Sequence, residues 1–209
     1  MISALLLAAA ATTAVDAETA FARDAQRIGQ WSAFRKYADR DAVMFTPQAV
    51  WARQFLMDRR DPARSISWRA AHSFVSCDGR TAVNTGPWFT PKGKLAGYFT
   101  TVWQRGKGSW HWVYDGGLPT PAKLPVTKTP DVQHASCAAR APGAPIPPPP
   151  PLTAKQARTT PEDHGRGESA DQTLGWDWNV AKNGARTFRV YLWTRGRYVA
   201  VVNAIDPAP

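Results

Sequence analysis

The chain has 209 residues, of which 44% are hydrophobic and 11% aromatic, a composition that fits a globular protein better than a disordered one. Its 26 Lys and Arg outnumber its 16 Asp and Glu, giving a formal net charge of +10. The basic residues form no run longer than the pairs Arg35-Lys36 and Arg59-Arg60. A basic arm is therefore excluded, and we expect no nucleic-acid partner.

Residues 1 to 17 resemble a secretory signal peptide. An apolar run from Ile2 to Ala11 is followed by small residues, which predicts cleavage before Glu18. A short N-terminal helix is the alternative interpretation. The signal-like segment predicts a periplasmic or secreted protein. Because no other stretch approaches the roughly 20 apolar residues that a membrane span needs, we expect no membrane span after cleavage.

The sequence next predicts two helices and then a meander of strands. Apolar residues recur every three or four positions from Glu18 to Tyr37, which is typical of amphipathic helices. The predicted elements are helices over 18–28 and 31–38, a strand over 41–47, a helix over 48–60, and strands over 65–76 and 80–89.

Leu95 to Gly117 is predicted to form a β-hairpin around the loop Arg105-Gly106-Lys107-Gly108, because glycine suits short hairpin loops. If Gln104 and Ser109 close the loop, alternation places one set of mainly aromatic side chains on a single face. This set is Leu95, Phe99, Thr101, Trp103, Trp110, Trp112 and Tyr114. We expect the N-terminal helices to cover this face and to enclose a core or a pocket.

Several of these segments resemble a known family. They are Ala42–Pro47, Gly86–Trp88, Gly97-Tyr98, Val102–Arg105 and Trp110–Gly117. Together they resemble a bacterial branch of the nuclear transport factor 2-like superfamily, close to the SnoaL-like proteins, over residues 18 to 118. The resemblance implies an α+β, cystatin-like cone, in which N-terminal helices pack on a curved antiparallel sheet around a cavity. It also implies that the chain could form a homodimer.

The composition changes after residue 118. Twelve of the 18 prolines lie between 119 and 161, which favours an extended linker over residues 119–172. Alternating apolar residues then predict three strands within 173–206. A unit this small buries too little surface to be stable alone, so we expect it to dock on the first domain or on a second chain.

Cys77 and Cys137 are the two cysteines. In an exported chain an even pair is most simply a disulfide. The alternative is a metal site completed by His134, but the sequence offers no obvious fourth ligand. We expect neither a metal nor a cofactor.

The predicted cavity suggests a set of ligand-binding aromatic residues. They are Phe21, Trp51, Phe99, Trp103, Trp112 and Tyr114. The leading hypothesis is an exported domain that binds a small apolar molecule or acts as a scaffold, with no assignable reaction. An interaction module using the outer face of the sheet is a further possibility.

A SnoaL-like isomerase, hydratase or cyclase acting on an apolar ketone or polycyclic substrate is the alternative. The superfamily includes ketosteroid isomerase, whose proton-transferring carboxylate lies at the end of the first strand, where this chain has Thr46. The candidate catalytic residues are therefore Asp24, His111 and Tyr98. Asp115 precedes two glycines and is interpreted as a turn residue.

Overall fold

The computed structural model describes residues 12–118, 127, 129–138 and 163–206. The described residues form three helices and twelve strands. The helices are α1 (Ala14–Ile28), α2 (Gln30–Tyr37) and α3 (Ala52–Leu56). The strands are β1 (Ala38–Phe45), β2 (Ala49–Trp51), β3 (Ser67–Trp68), β4 (His72–Val75), β5 (Thr81–Phe89), β6 (Leu95–Arg105), β7 (Trp110–Leu118), β8 (Asp131–His134), β9 (His164–Glu168), β10 (Leu174–Val180), β11 (Arg186–Thr194) and β12 (Arg197–Asp206).

Helix α1 begins earlier than predicted. Thr13 and Asp16 form a capping box at its N-terminus, and each satisfies a backbone N–H of the first turn. Ala14 and Ala17 are buried in the core. The predicted cleavage point before Glu18 therefore lies inside this helix. Within the described part of the chain, no helix has the length and apolar character needed to cross a membrane.

The central sheet has eight strands in the order β2-β1-β7-β6-β5-β4-β8, with β3 paired to β5. Strand β1 runs parallel to β7 and β8 runs parallel to β4, whereas the other pairs are antiparallel. The predicted helix over 48–60 is wrong at both ends, because residues 49–51 pair with β1 and only 52–56 are helical. The predicted α+β class is confirmed, with helices on one face of a curved sheet.

The register of the hairpin differs from the prediction. Trp103 pairs with Trp112, but the neighbouring Val102 pairs with Tyr114, so Val113 is an extra residue that forms a β-bulge. A bulge interrupts the alternation of faces. Phe99, Trp103, Trp110 and Trp112 lie together under the helices, as predicted, whereas Tyr114 packs on the opposite face.

A second sheet covers this opposite face. Its order is β12-β11-β10-β9, so the three predicted strands are present and β9 adds a fourth from within the predicted linker. The indoles of Trp176 and Trp178 lie directly against β9, where an added Cβ at Gly167 or Gly165 would come within 2.2 Å and 2.7 Å of them. The molecule thus has three layers: helices, central sheet and second sheet.

The predicted disulfide is present between Cys77 and Cys137. It joins the turn between β4 and β5 to the segment that follows β8. Both sulfur atoms of the alternative metal site are therefore used in this bond. Closing a loop with a sequence separation of 60 stabilises the fold by about 4 kcal/mol in the chain-entropy description.

Candidate functional site

A cavity of about 160 Å³ lies between α2 and the helix-covered face of the central sheet. Aromatic side chains form most of its wall, and two polar side chains reach it. The lining residues are Gln30, Trp31, Phe34, Met44, Ile66, Trp68, Trp88, Phe99, Asp115 and Gly117. An apolar protein cavity of roughly 150 Å³ can hold one benzene molecule. The space is therefore suited to a ligand of about one ring.

Asp115 reaches the cavity because of the bulge at Val113. Beyond the bulge, Tyr114 faces the second sheet and Asp115 faces the helices. The Thr101 hydroxyl donates a hydrogen bond of 2.9 Å to the Asp115 carboxylate. Burial raises the pKa of Asp115 to about 6, and the Thr101 hydrogen bond and the charge of Arg186 oppose this increase. The interpretation of Asp115 as a turn residue is wrong, since it lies within β7.

A second carboxyl group, Glu18 of α1, is buried beneath the sheet-facing side of the helix. The indole N–H groups of Trp68 and Trp103 each donate to it at 2.7 Å, and Asn84 Nδ2 donates at 3.2 Å. Only 1% of Glu18 is exposed. Burial raises its pKa to about 7, the hydrogen bonds from Trp103 and Trp68 lower it, and the charge of Asp115 raises it further.

The two carboxyl groups end a row of polar side chains across three strands. Asp115 pairs with Thr101, and Thr101 pairs with Asn84 in the sheet register. Asn84 then contacts Glu18, while its own Oδ1 atom is buried without a hydrogen-bond partner. Since the charge of Asp115 acts on the pKa of Glu18, the cavity and the buried helix residue are electrostatically coupled.

Glu18 was not among the predicted site residues, because the predicted cleavage point made it the first residue of the mature chain. The helical pattern could have indicated that Glu18 is buried. Glu18 stands on the buried stripe of α1 with Ala14, Phe21 and Ala25. A carboxylate on an apolar stripe is rarely buried unless it is paired or hydrogen-bonded.

The predicted ligand-binding residues occupy three different environments. Phe99 lines the cavity. Phe21, Trp103 and Trp112 belong to the core on the same face, without lining the cavity, and Phe21 packs at 4.8 Å between ring centroids against both Phe34 and Trp68. Trp51 and Tyr114 lie in the cluster on the opposite face.

None of the three predicted catalytic residues lines the cavity. Asp24 is buried and bound by Lys36 and Tyr37; although burial raises the pKa of this carboxyl group, these contacts lower it below its usual value. His111 lies at the hairpin end, 3.0 Å from the Ser109 hydroxyl. Tyr98 is buried.

Comparison with known proteins gives structural similarity only. No protein-family model matches the sequence, and no curated protein does so. A Mycobacterium tuberculosis protein of unknown function is 13% identical over 52% of this chain and 76% of its own, with a TM-score of 0.37. A candidate ketosteroid isomerase from Shewanella frigidimarina is 11% identical over 51% and 96%, with a TM-score of 0.37. A CaMKII hub homology domain from Chlamydomonas reinhardtii is 16% identical over 52% and 99%, with a TM-score of 0.38. Similarity at this level identifies no function.

Proposed function

We propose that this protein is an exported, nuclear transport factor 2-like domain that binds a small, mainly apolar molecule in the cavity beside α2. The observation that carries this proposal is an aromatic cavity of about 160 Å³ with the carboxyl group of Asp115 at its wall. Ligand sites are typically apolar clefts with a few polar groups that orient the ligand. Here the rings supply contact area and Asp115 supplies the polar anchor.

Two observations support the other parts of the proposal. Disulfides such as Cys77–Cys137 persist mainly in oxidising compartments, which supports export. The second sheet packs over Val83, Val102 and Tyr114 on the outer face of the central sheet. This face is therefore used within the chain, which favours a binding domain over an interaction module that would need the same surface.

A glycine in the cavity wall offers a specific test. An added Cβ at Gly117 meets only Trp88 Nε1 within 4 Å, at 3.7 Å, so the Cβ of Gly117→Val meets no backbone atom, and we expect its side chain to take up part of the cavity. Gly106 has no atom within 4 Å of an added Cβ and lies in the hairpin loop. Gly106→Val is therefore the matched control.

The experiment titrates the protein with phenol and with toluene and follows the indole N–H signal of Trp88 by NMR. That indole nitrogen has no hydrogen-bond partner, so its signal reports directly on a ligand. We expect a saturable shift in the wild type and in Gly106→Val, and its loss in Gly117→Val. A wild type without saturable binding, or binding that Gly117→Val leaves unchanged, would contradict the proposal.

Asp115 also favours a second candidate function, proton transfer on a small ketone. A carboxyl group with a pKa near 6 in an apolar cavity suits general acid–base catalysis near neutral pH. The test follows exchange of the α-protons of cyclopentanone in D₂O by NMR. We expect acceleration that Asp115→Asn abolishes, and exchange at the buffer rate would exclude this candidate.

A further inference from the structure

We propose that the ligand of the cavity is a small organic cation, such as an alkylammonium group, held between the aromatic rings and the Asp115 carboxylate. This inference rests on the proposed function and names its ligand class. It follows from the balance of charge around the cavity, from the chemistry of its wall and from the way in which Glu18 is bound.

The side chains that line the cavity carry acidic charge, and among the described residues the nearest cation to a lining ring is Arg59, whose guanidinium carbon lies 5.7 Å from the centre of the Trp31 ring. Asp115 lines the cavity, Glu18 lies behind it, and none of the lining residues is basic. The donors to Glu18 are the neutral groups of Trp68, Trp103 and Asn84, so its charge is not neutralised by a cationic side chain. Two carboxyl groups at the same site, without a cation between them, favour a positively charged ligand.

The basic residue that affects Asp115 lies on the other side of β7. Arg186 of β11 donates to the backbone oxygen of Gly117 and pairs with Asp206 of β12 at 3.3 Å. Its guanidinium carbon lies 4.3 Å from the centre of the Phe45 ring. Asp206 shares the charge of Arg186, so Arg186 compensates Asp115 only in part, and its charge is not among the influences on Glu18.

The wall of the cavity suits a cation as well. Five aromatic residues line it: Trp31, Phe34, Trp68, Trp88 and Phe99. Aromatic rings attract ammonium groups, and cages of such rings bind quaternary ammonium ligands. A neutral ligand of the same shape would gain the apolar contacts but would leave the acids without a counter-charge. The formal net charge of +10 opposes the approach of a cation, but salt screens exposed charges beyond about 8 Å at physiological ionic strength.

Binding of a cation should depend on pH. The charged groups around the cavity are Asp115 and Glu18 on the cavity side, Arg59 beside the Trp31 ring, and Arg186 and Asp206 behind β7. A cation binds most tightly when both acids are ionised. Since the pKa of Asp115 is raised to about 6 and that of Glu18 to about 7, affinity should increase as pH rises through this range.

The test compares two ligands of the same shape, choline and its neutral isostere 3,3-dimethylbutan-1-ol, by calorimetry at pH 5.5 and pH 8. We expect choline to bind more tightly than the alcohol at pH 8 and at least tenfold more weakly at pH 5.5. The affinity of the alcohol should change little with pH. Asp115→Asn should weaken choline binding at least tenfold and leave the affinity for the alcohol unchanged. Binding of the alcohol also shows that the variant is folded.

The matched control is Asp41→Asn, which removes the same charge from a side chain that is 82% exposed and should leave both affinities unchanged. The inference is overturned if the alcohol binds at pH 8 as tightly as choline, or if Asp115→Asn binds choline as the wild type does. Binding of phenol or the alcohol without choline would overturn this inference and leave the proposed function standing. Failure of all these ligands to bind would overturn both.

Discussion

The two faces of the central sheet are covered in different ways. Under the helices, aromatic side chains surround a cavity, the buried carboxyl group of Glu18 and the half-buried carboxyl group of Asp115. Under the second sheet, the side chains in contact are almost all apolar, with Tyr114 stacked on Phe188 at 4.2 Å between ring centroids. The helix-covered face keeps open space beside its rings, whereas the side chains of the two sheets pack against each other. We therefore propose that the first face binds the ligand and that the second stabilises the fold.

The largest expected effect comes from removing a ring from the sheet–sheet face. Phe188 is 2% exposed, and a buried Phe→Ala substitution leaves a cavity that costs about 3 to 5 kcal/mol. We therefore expect Phe188→Ala to lower the free energy of unfolding by about 4 kcal/mol in urea denaturation, with phenol binding retained where the protein is folded. A loss below about 1 kcal/mol would show that the second sheet contributes little to stability.

The helix-covered face should instead make stability depend on pH. The pKa of Glu18 is raised from 4.5 to about 7 in the folded state, so the folded protein holds this proton more tightly than the unfolded chain. The free energy of unfolding should therefore decrease as pH rises from about 4.5 to 7, by a total of about 3 kcal/mol, and level off above. The pKa of Asp115 is likewise raised from 3.8 to about 6 in the folded state. It adds a further decrease in the free energy of unfolding as pH rises toward 6.

Glu18→Gln isolates the contribution of Glu18. Between pH 6 and 7 the wild type should lose about 1 kcal/mol of unfolding free energy, and the variant should lose little, as measured by urea denaturation at each pH. The variant itself should be less stable, because an amide offers one acceptor oxygen to three N–H donors. Equal slopes in the two proteins would mean that Glu18 does not titrate in this range.

Two neighbouring glycines allow the smallest and most local comparison. An added Cβ at Gly116, on the sheet–sheet side, would lie 2.8 Å from the Tyr114 hydroxyl, whereas at Gly117 the nearest atom is at 3.7 Å. We expect Gly116→Ala to destabilise the fold by about 1 to 3 kcal/mol through overpacking. Gly117→Ala should change stability by less than about 0.5 kcal/mol. Thermal unfolding of the two variants measures this difference in stability. Equal melting temperatures would contradict the tighter packing on the sheet–sheet side.

Much of the fold could be predicted from the pattern of residues, but a bulge could not. The alternation of Phe99, Trp103 and Trp112 correctly predicted a shared face, because side chains in a strand alternate. Because Val113 is an extra residue in β7, Tyr114 and Asp115 lie on the faces opposite to those predicted for them. Neither Val113 nor its neighbours Trp112 and Tyr114 is a glycine or proline that would mark the bulge, so Asp115 could be placed in the cavity only from the structure.

Two other errors, at β2 and β9, arose where local pattern and long-range pairing disagreed. Residues 49–51 carry a helix-like pattern but pair with β1. β9 contains glycines that weaken any strand pattern, although they allow Trp176 and Trp178 to pack against it. The apolar N-terminus suggested a signal peptide ending at residue 17, but Thr13 already caps α1. If export involves cleavage, we expect mass spectrometry of the exported protein to find an N-terminus at or before Thr13.

A crystal structure of the protein soaked with 4-bromophenol, with the bromine located by its anomalous signal, would show directly whether the helix-covered face binds a ligand. We expect bromine in the cavity, in contact with Trp31 and Phe99, and the phenol hydroxyl directed toward Asp115. An empty cavity in crystals where bromine binds at the surface or between the two sheets would contradict the assignment of ligand binding to the helix-covered face.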